Sequence, residues 1–204
     1  METQNFPSRL LADAVAELSK LPGVGEKTAL RLALHILRQE PEAAEKLGKA
    51  ITHMRRDIKR CKSCNNISDA DYCTICANPT RTQDWVCVVE DASDVMAIEQ
   101  TGQYQGIYHV LGGIISPMDG VGPGDLEIGL LDEKISQGRV SELIIALSTT
   151  MEGDTTGYYL YKRFRGKGVK ITQLARGVSF GDEIEYADTV TLGKSIANRV
   201  EYKA

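Results

Sequence analysis

Arg60-Cys61-Lys62-Ser63-Cys64 and Tyr72-Cys73-Thr74-Ile75-Cys76 are two C-x2-C knuckles that hold four of the chain's five cysteines. Each knuckle sets two thiolates on one tight turn, the arrangement that tetrahedral Zn²⁺ asks for. Four sulfur ligands fill the coordination shell and leave no position for water or substrate. The expected metal is therefore structural zinc held by Cys61, Cys64, Cys73 and Cys76. An iron–sulfur cluster, a redox dithiol and a pair of disulfides are the competing readings. The odd cysteine, Cys87, and the lack of a signal-peptide pattern speak against disulfides and for a reducing compartment. The segment Asn65 to Tyr72 is too short and polar to bury a core, so the metal is expected to supply most of its folding energy, about 10 to 16 kcal/mol by analogy with finger peptides.

Upstream, Leu10, Leu11, Ala14, Val15 and Leu18 repeat at helical spacing behind Ser8, a candidate N-cap. Leu21-Pro22-Gly23-Val24-Gly25 then predicts a turn, and a second helix follows from Glu26 to about Gln39. In such a helical hairpin the free backbone N–H groups at the start of the second helix, together with its dipole, form a site for a phosphate. Gly23 and Gly25 allow the backbone to approach closely, and Lys27 and Arg31, four apart on one face, are placed to neutralise phosphates. These residues resemble the helix-hairpin-helix motif of DNA-binding proteins, which implies contact with DNA that does not read bases. Pro41 opens a third helix with Leu47, Ala50, Ile51, Met54 and Ile58 on one stripe and a strongly basic end, Arg55, Arg56, Lys59 and Arg60. Cations in the last turn offset the helix dipole and also offer a further phosphate contact.

Downstream the pattern changes to short apolar runs alternating with helical stretches. Strands are predicted at Trp85 to Val89, Ile107 to Leu111, Leu143 to Leu147 and Val169 to Leu174. Helices are predicted around Ala92 to Gln100, Leu131 to Gln137 and Gly153 to Arg165. Strands apolar on both faces and separated by helices imply a parallel, doubly covered sheet, whose functional groups sit at the carboxyl ends of its strands. Those ends carry Glu90-Asp91, Gly112-Gly113, and Ser148 through Asp154. The arrangement resembles the Toprim domain of type IA topoisomerases and primases, in which a Glu after the first strand works with an Asp-x-Asp pair after the third. Here Glu90 is retained, but Ser148 and Thr150 stand at the two aspartate positions. Glu90, Glu152 and Asp154 leave fewer anions for Mg²⁺, which implies a Toprim fold without strand cleavage and an acidic surface for a partner at Glu90, Asp94 and Glu152. The glycine-rich run Gly112 to Gly124 is expected to be a shaped loop, and Asp188, where a P-loop needs its first glycine, excludes a standard P-loop at Gly193-Lys194-Ser195.

With 204 residues, 42% apolar and 25% charged, the chain reads as a globular protein of two domains, neither disordered nor membrane-embedded. A net charge of −4 gives no general pull toward nucleic acid, so DNA contact has to come from a local basic patch. The scattered His35, His53 and His109 read as packed or surface residues, and Cys87 as a small buried hydrophobe.

Taken in order, the hairpin, the four cysteines, Leu-Gly-Gly-Ile-Ile-Ser-Pro-Met-Asp-Gly-Val-Gly-Pro at 111 to 123, and Ala-Arg-Gly-Val with Glu-Tyr-Ala-Asp between 175 and 188 resemble the RecR family of bacterial recombination mediators. Glu26, where that family commonly has Pro, and Asp182, where it usually has Gly, depart from the pattern. The resemblance implies a helical domain at 1–59, a zinc knuckle at 60–78, a Toprim domain at 79–177 and a C-terminal extension at 178–204. It further implies a non-enzymatic homotetrameric ring in the bacterial cytoplasm, associated with the nucleoid. Such a ring binds gapped, single-stranded or duplex DNA and works with RecO and RecF to help load RecA, with RecO on the acidic Toprim face. The alternatives are an adaptor without DNA contact and a Mg²⁺-dependent Toprim enzyme that cleaves DNA.

Overall fold

The computed structural model describes residues 6–178, 181 and 183–201; Asp182 lies outside them. The chain divides into two compact units between Ile58 and Lys59. The first holds three helices, α1 (Arg9–Ser19), α2 (Glu26–Leu37) and α3 (Pro41–Asp57). Its core is Val15 of α1 with Ala29 and Ala33 of α2, and Leu11, Leu18, Val24 and Leu30 pack around them. The two alanines present no bulk, which lets α1 and α2 lie close. No residue of α3 is buried, and Ile51 and Met54 of its apolar stripe are 55% and 56% exposed. Helical periodicity specifies that α3 has an apolar face; among the described residues of this unit, nothing covers it.

The second unit opens with a short antiparallel pair, β1 (Lys59–Arg60) and β2 (Ile67–Ser68), that the apolar pattern does not reveal. It continues through β3 (Thr82–Val89), α4 (Ala92–Gln100), β4 (Gly106–Val110), α5 (Gly129–Ser136), β5 (Glu142–Ile145), α6 (Met151–Phe164), β6 (Lys170–Gln173) and α7 (Thr189–Ala197). The four longer strands form one parallel sheet in the order β4-β3-β5-β6. Val86, Val88, Ile107 and Leu143 pack on one face against Leu131 and Ile135 of α5 and Leu160 and Phe164 of α6. Cys87, Val89, Tyr108 and Val110 pack on the other against Val95 and Ile98 of α4 and Ile75 of the knuckle. Cover on both faces is the physical reason these strands read as unbroken apolar runs. The expected α/β architecture is the observed one. Burial raises the Cys87 thiol to about 12, which keeps it an inert core residue.

One polar cluster locks the start of β3 to α4. Arg81 donates to Glu99 Oε1 at 3.0 Å and to the carbonyl of Tyr104 at 2.9 Å, and also pairs with Glu99 Oε2. Tyr108 donates to the same carboxylate at 2.7 Å. Burial pushes the Glu99 carboxyl up, but the hydrogen bonds from Arg81 and Tyr108 outweigh it and hold the group below its ordinary value. Glu99→Ala strands a largely buried guanidinium and a phenol, so a loss of about 2 kcal/mol is expected in denaturant unfolding. An unchanged midpoint would show the cluster to be dispensable. Among the described residues no helix is long and apolar enough to cross a membrane.

Candidate functional site

The sulfur atoms of Cys61, Cys64, Cys73 and Cys76 all lie within 4.8 Å of one another, and three of the four residues are buried. Cys64 and Cys73 Sγ are 3.6 Å apart, close to the edge of about 3.8 Å of a tetrahedron with Zn–S bonds of about 2.3 Å. Backbone N–H groups point at the sulfurs: Cys73 donates to Cys61 Sγ at 3.3 Å and Cys76 to Cys73 Sγ at 3.4 Å, which favours thiolates. Hydrogen bonding with Cys73 and Cys76, and then burial, push the Cys64 thiol far up, so four thiolates packed this closely call for a cation to neutralise them. The donor set and its size fit structural zinc.

Asn65, which the sequence did not single out, ties the knuckle down. It is the one non-glycine residue with positive φ (61°) among those described, a conformation Asn tolerates better than most. Its side chain donates to the carbonyl of Val110 at 2.9 Å, and the Val110 N–H donates to Cys64 O at 2.8 Å. The knuckle thus covers the free edge of β4, where ladder groups would otherwise lie unpaired.

In the first unit, Gly23 adopts φ 76°, open only to glycine at low cost, and carries the chain from α1 into the turn. Gly25 is the N-cap of α2 with no side chain capping the helix, and a Cβ there would meet nothing within 4 Å. The first N–H groups of α2 are therefore left without a side-chain partner, beside the exposed Lys27 and Arg31. Glu26 is the first residue of α2; its charge suits the helix dipole and competes for the place a phosphate would take.

At the carboxyl end of the sheet, Asp91 caps α4 by accepting from Ser93 N at 2.7 Å and Asp94 N at 3.3 Å. Asp94 Oδ2 answers by accepting from the N–H groups of Glu90 at 3.1 Å and Asp91 at 3.2 Å. Burial first, and the charges of Asp94 and Asp91 next, raise the Glu90 carboxyl above its ordinary value. Glu152 is half-buried in the first turn of α6, while Asp154 is paired with Arg176 at 2.6 Å and Lys194 at 3.9 Å. Thr156, buried on α6, holds the glycine-rich loop by accepting from Ile115 N at 2.8 Å. That loop contains two single 3-10 turns, Pro117–Asp119 and Pro123–Asp125.

The chain matches family profiles for the RecR helix-hairpin-helix over residues 11–55, the RecR four-cysteine zinc finger domain over 58–78, the Toprim domain over 84–175 and the RecR C-terminal region over 177–200. It is 59% identical over 199 residues to Recombination protein RecR of Parabacteroides distasonis, covering 98% of this chain and 96% of the relative. Against the protein of the same name from Bacteroides fragilis it is 57% identical over 199 residues, covering 98% and 97%. The chain belongs to the RecR family. Its four cysteines hold a structural zinc ion, and its parallel sheet is a Toprim domain.

In this RecR-family Toprim domain, of the two positions that lack aspartate, Thr150 serves the backbone and Ser148 contacts Thr150. Ser148 and Thr150 hydroxyls lie 3.2 Å apart, and Thr150 caps α6 by accepting from Gly153 N at 3.1 Å. Gly153 is required sterically: a Cβ there would sit 2.1 Å from the Ser148 carbonyl oxygen. Among the described residues the cysteines are the one group of three or more His, Cys, Asp or Glu side chains close enough to share a metal ion, so Glu90, Asp94 and Glu152 do not converge on a common point.

Proposed function

We propose that this chain is a non-enzymatic DNA-binding clamp. As a recombination mediator in recombinational DNA repair it acts with RecO and RecF to promote RecA loading on gapped or single-stranded DNA in the bacterial cytoplasm, at the nucleoid. The observation that carries this reading is the uncapped N-terminus of α2, open at Gly25 and flanked by the exposed Lys27 and Arg31. N–H groups, dipole and two cations in one place suit a phosphate and carry no base information.

Self-association into a homotetrameric ring is supported by the apolar stripe of α3, which has no cover among the described residues of its own unit. Repeating the patch in each subunit raises the effective concentration of weak sites, which suits a chain of net charge −4. The acidic end of the sheet is the proposed RecO surface. Glu90 and Glu152 face the partner, and Asp94 shapes the turn that presents Glu90, since its carboxylate is engaged by the Glu90 and Asp91 N–H groups.

The test is binding of a labelled gapped duplex across a salt series, wild type against Lys27→Ala/Arg31→Ala, with assembly checked by light scattering. Each lost phosphate contact weakens binding about fivefold near 0.15 M salt, so the double variant is expected to bind about twenty-five-fold more weakly with a flatter salt dependence. Equal binding by an intact variant assembly would assign the hairpin to assembly and favour the adaptor reading.

A further inference from the structure

The face of α2 that starts at Lys27 does not end at Arg31. Lys27, Leu30, Arg31, Leu34, His35 and Arg38 line one groove of about 330 Å³ along the helix and its C-cap. Lys27 and Arg38 are eleven residues apart, close to three full turns of about 3.6 residues, so they project from nearly the same side with Arg31 between them. All three cations are exposed, and Leu30 and Leu34 are half-buried between them. The ion pairs of this unit are Lys20–Glu17, Lys49–Glu45, His53–Asp57 and Arg56–Asp57. Among the described residues, Lys27, Arg31 and Arg38 therefore have no acidic partner.

We propose that Arg38 is a further phosphate-contacting residue. The nucleic-acid backbone would then run along the whole length of α2, rather than touching its N-terminus alone. This inference rests on the DNA-binding reading above and extends its site by two helical turns. From Lys27 to Arg38 the helix rises about 16 Å, room for about five phosphates of one strand at about 3.4 Å each along a duplex. The unpaired cations are complementary to a polyanion, and the leucine floor between them offers an apolar surface to sugars. The bland account of Arg38 is that a cation at a helix C-terminus offsets the dipole. That account predicts a change in stability and none in affinity.

The experiment compares wild type, Arg38→Ala, Arg38→Lys and Lys27→Ala/Arg31→Ala on one gapped duplex over a salt series, with thermal unfolding and light scattering on each. Arg38→Ala is expected to bind about fivefold more weakly near 0.15 M salt per engaged subunit. Its log–log salt slope should flatten by about one per contact, and Arg38→Lys should recover most of the loss. If Arg38→Ala disturbs assembly, Arg38→Gln, which keeps length and packing, takes its place. Wild-type affinity and slope in the Arg38 variants, with binding lost in the Lys27/Arg31 variant, would overturn this inference and leave the hairpin reading intact. Wild-type binding in all variants would overturn both.

Discussion

Cys61→Ser is expected to yield protein with less than one zinc per chain and a melting temperature well below that of wild type. Cys61 Sγ is buried and accepts from the Cys73 N–H, so serine removes a metal ligand and leaves three thiolates short of a counter-charge. The metal supplies most of the knuckle's folding energy, on the order of 10 kcal/mol by comparison with zinc-finger peptides, and losing one ligand removes several kcal/mol of it. The damage should reach the sheet, because Cys64 O and the Asn65 side chain cover Val110 on the edge of β4 and Ile75 packs on the α4 face. Hydrogen exchange at the Val110 amide should therefore accelerate, while Ile144 in the interior strand β5 keeps its protection. Full zinc content with unchanged unfolding would defeat the assignment of the ligands.

The second large effect is a loss of stability in mild acid traced to His109. It lies fully buried in β4, with Nε2 donating to the Glu127 carbonyl at 2.5 Å. A carbonyl only accepts, so Nε2 carries the proton and Nδ1 is left as an acceptor, without a partner among the described residues. Burial lowers the imidazole to about 4 from its ordinary 6.5, and the nearby Lys134 charge adds to that. The folded state therefore keeps His109 neutral where the unfolded chain takes up a proton. Above pH 6.5 the group costs nothing; as pH falls from 6.5 to about 4 stability declines, by about 3 kcal/mol in all at 1.36 kcal/mol per unit. Denaturant unfolding at pH 7.5 and 5 should show the decline in wild type. His109→Gln, which keeps a donor for Glu127 and does not titrate, should show a flatter profile. Identical slopes in the two proteins would place the acid sensitivity elsewhere.

Much of the architecture was legible because it rests on local chemistry. C-x2-C spacing brings sulfurs together whatever follows, and Gly23 at φ 76° is demanded by the turn itself. The apolar runs of β3 and β4 could be read as buried strands because both sheet faces are covered. Boundaries moved where hydrogen bonds rather than side chains decide them: β3 begins at Thr82, whose N–H donates to Gln105 O at 2.8 Å, and not at Trp85 where the apolar run begins. The arrangement of the acids at the carboxyl end of the sheet was not legible. Glu90, Asp94 and Glu152 look alike as letters, yet Asp94 is turned to backbone N–H groups, a fact of loop geometry that no residue type announces.

By itself the sequence determined the zinc ligands, the helical hairpin and the alternation of strand and helix, since spacing, turn residues and periodicity act over a few positions of chain. Only the tertiary structure decided that Asn65 secures the knuckle to β4, that Thr156 holds the glycine-rich loop, that His109 is sealed from water, and that the apolar face of α3 finds no cover among the described residues of its own unit. The first three depend on contacts between residues far apart in sequence. The last depends on what packing leaves over, and an apolar pattern specifies a face to be covered without naming its partner.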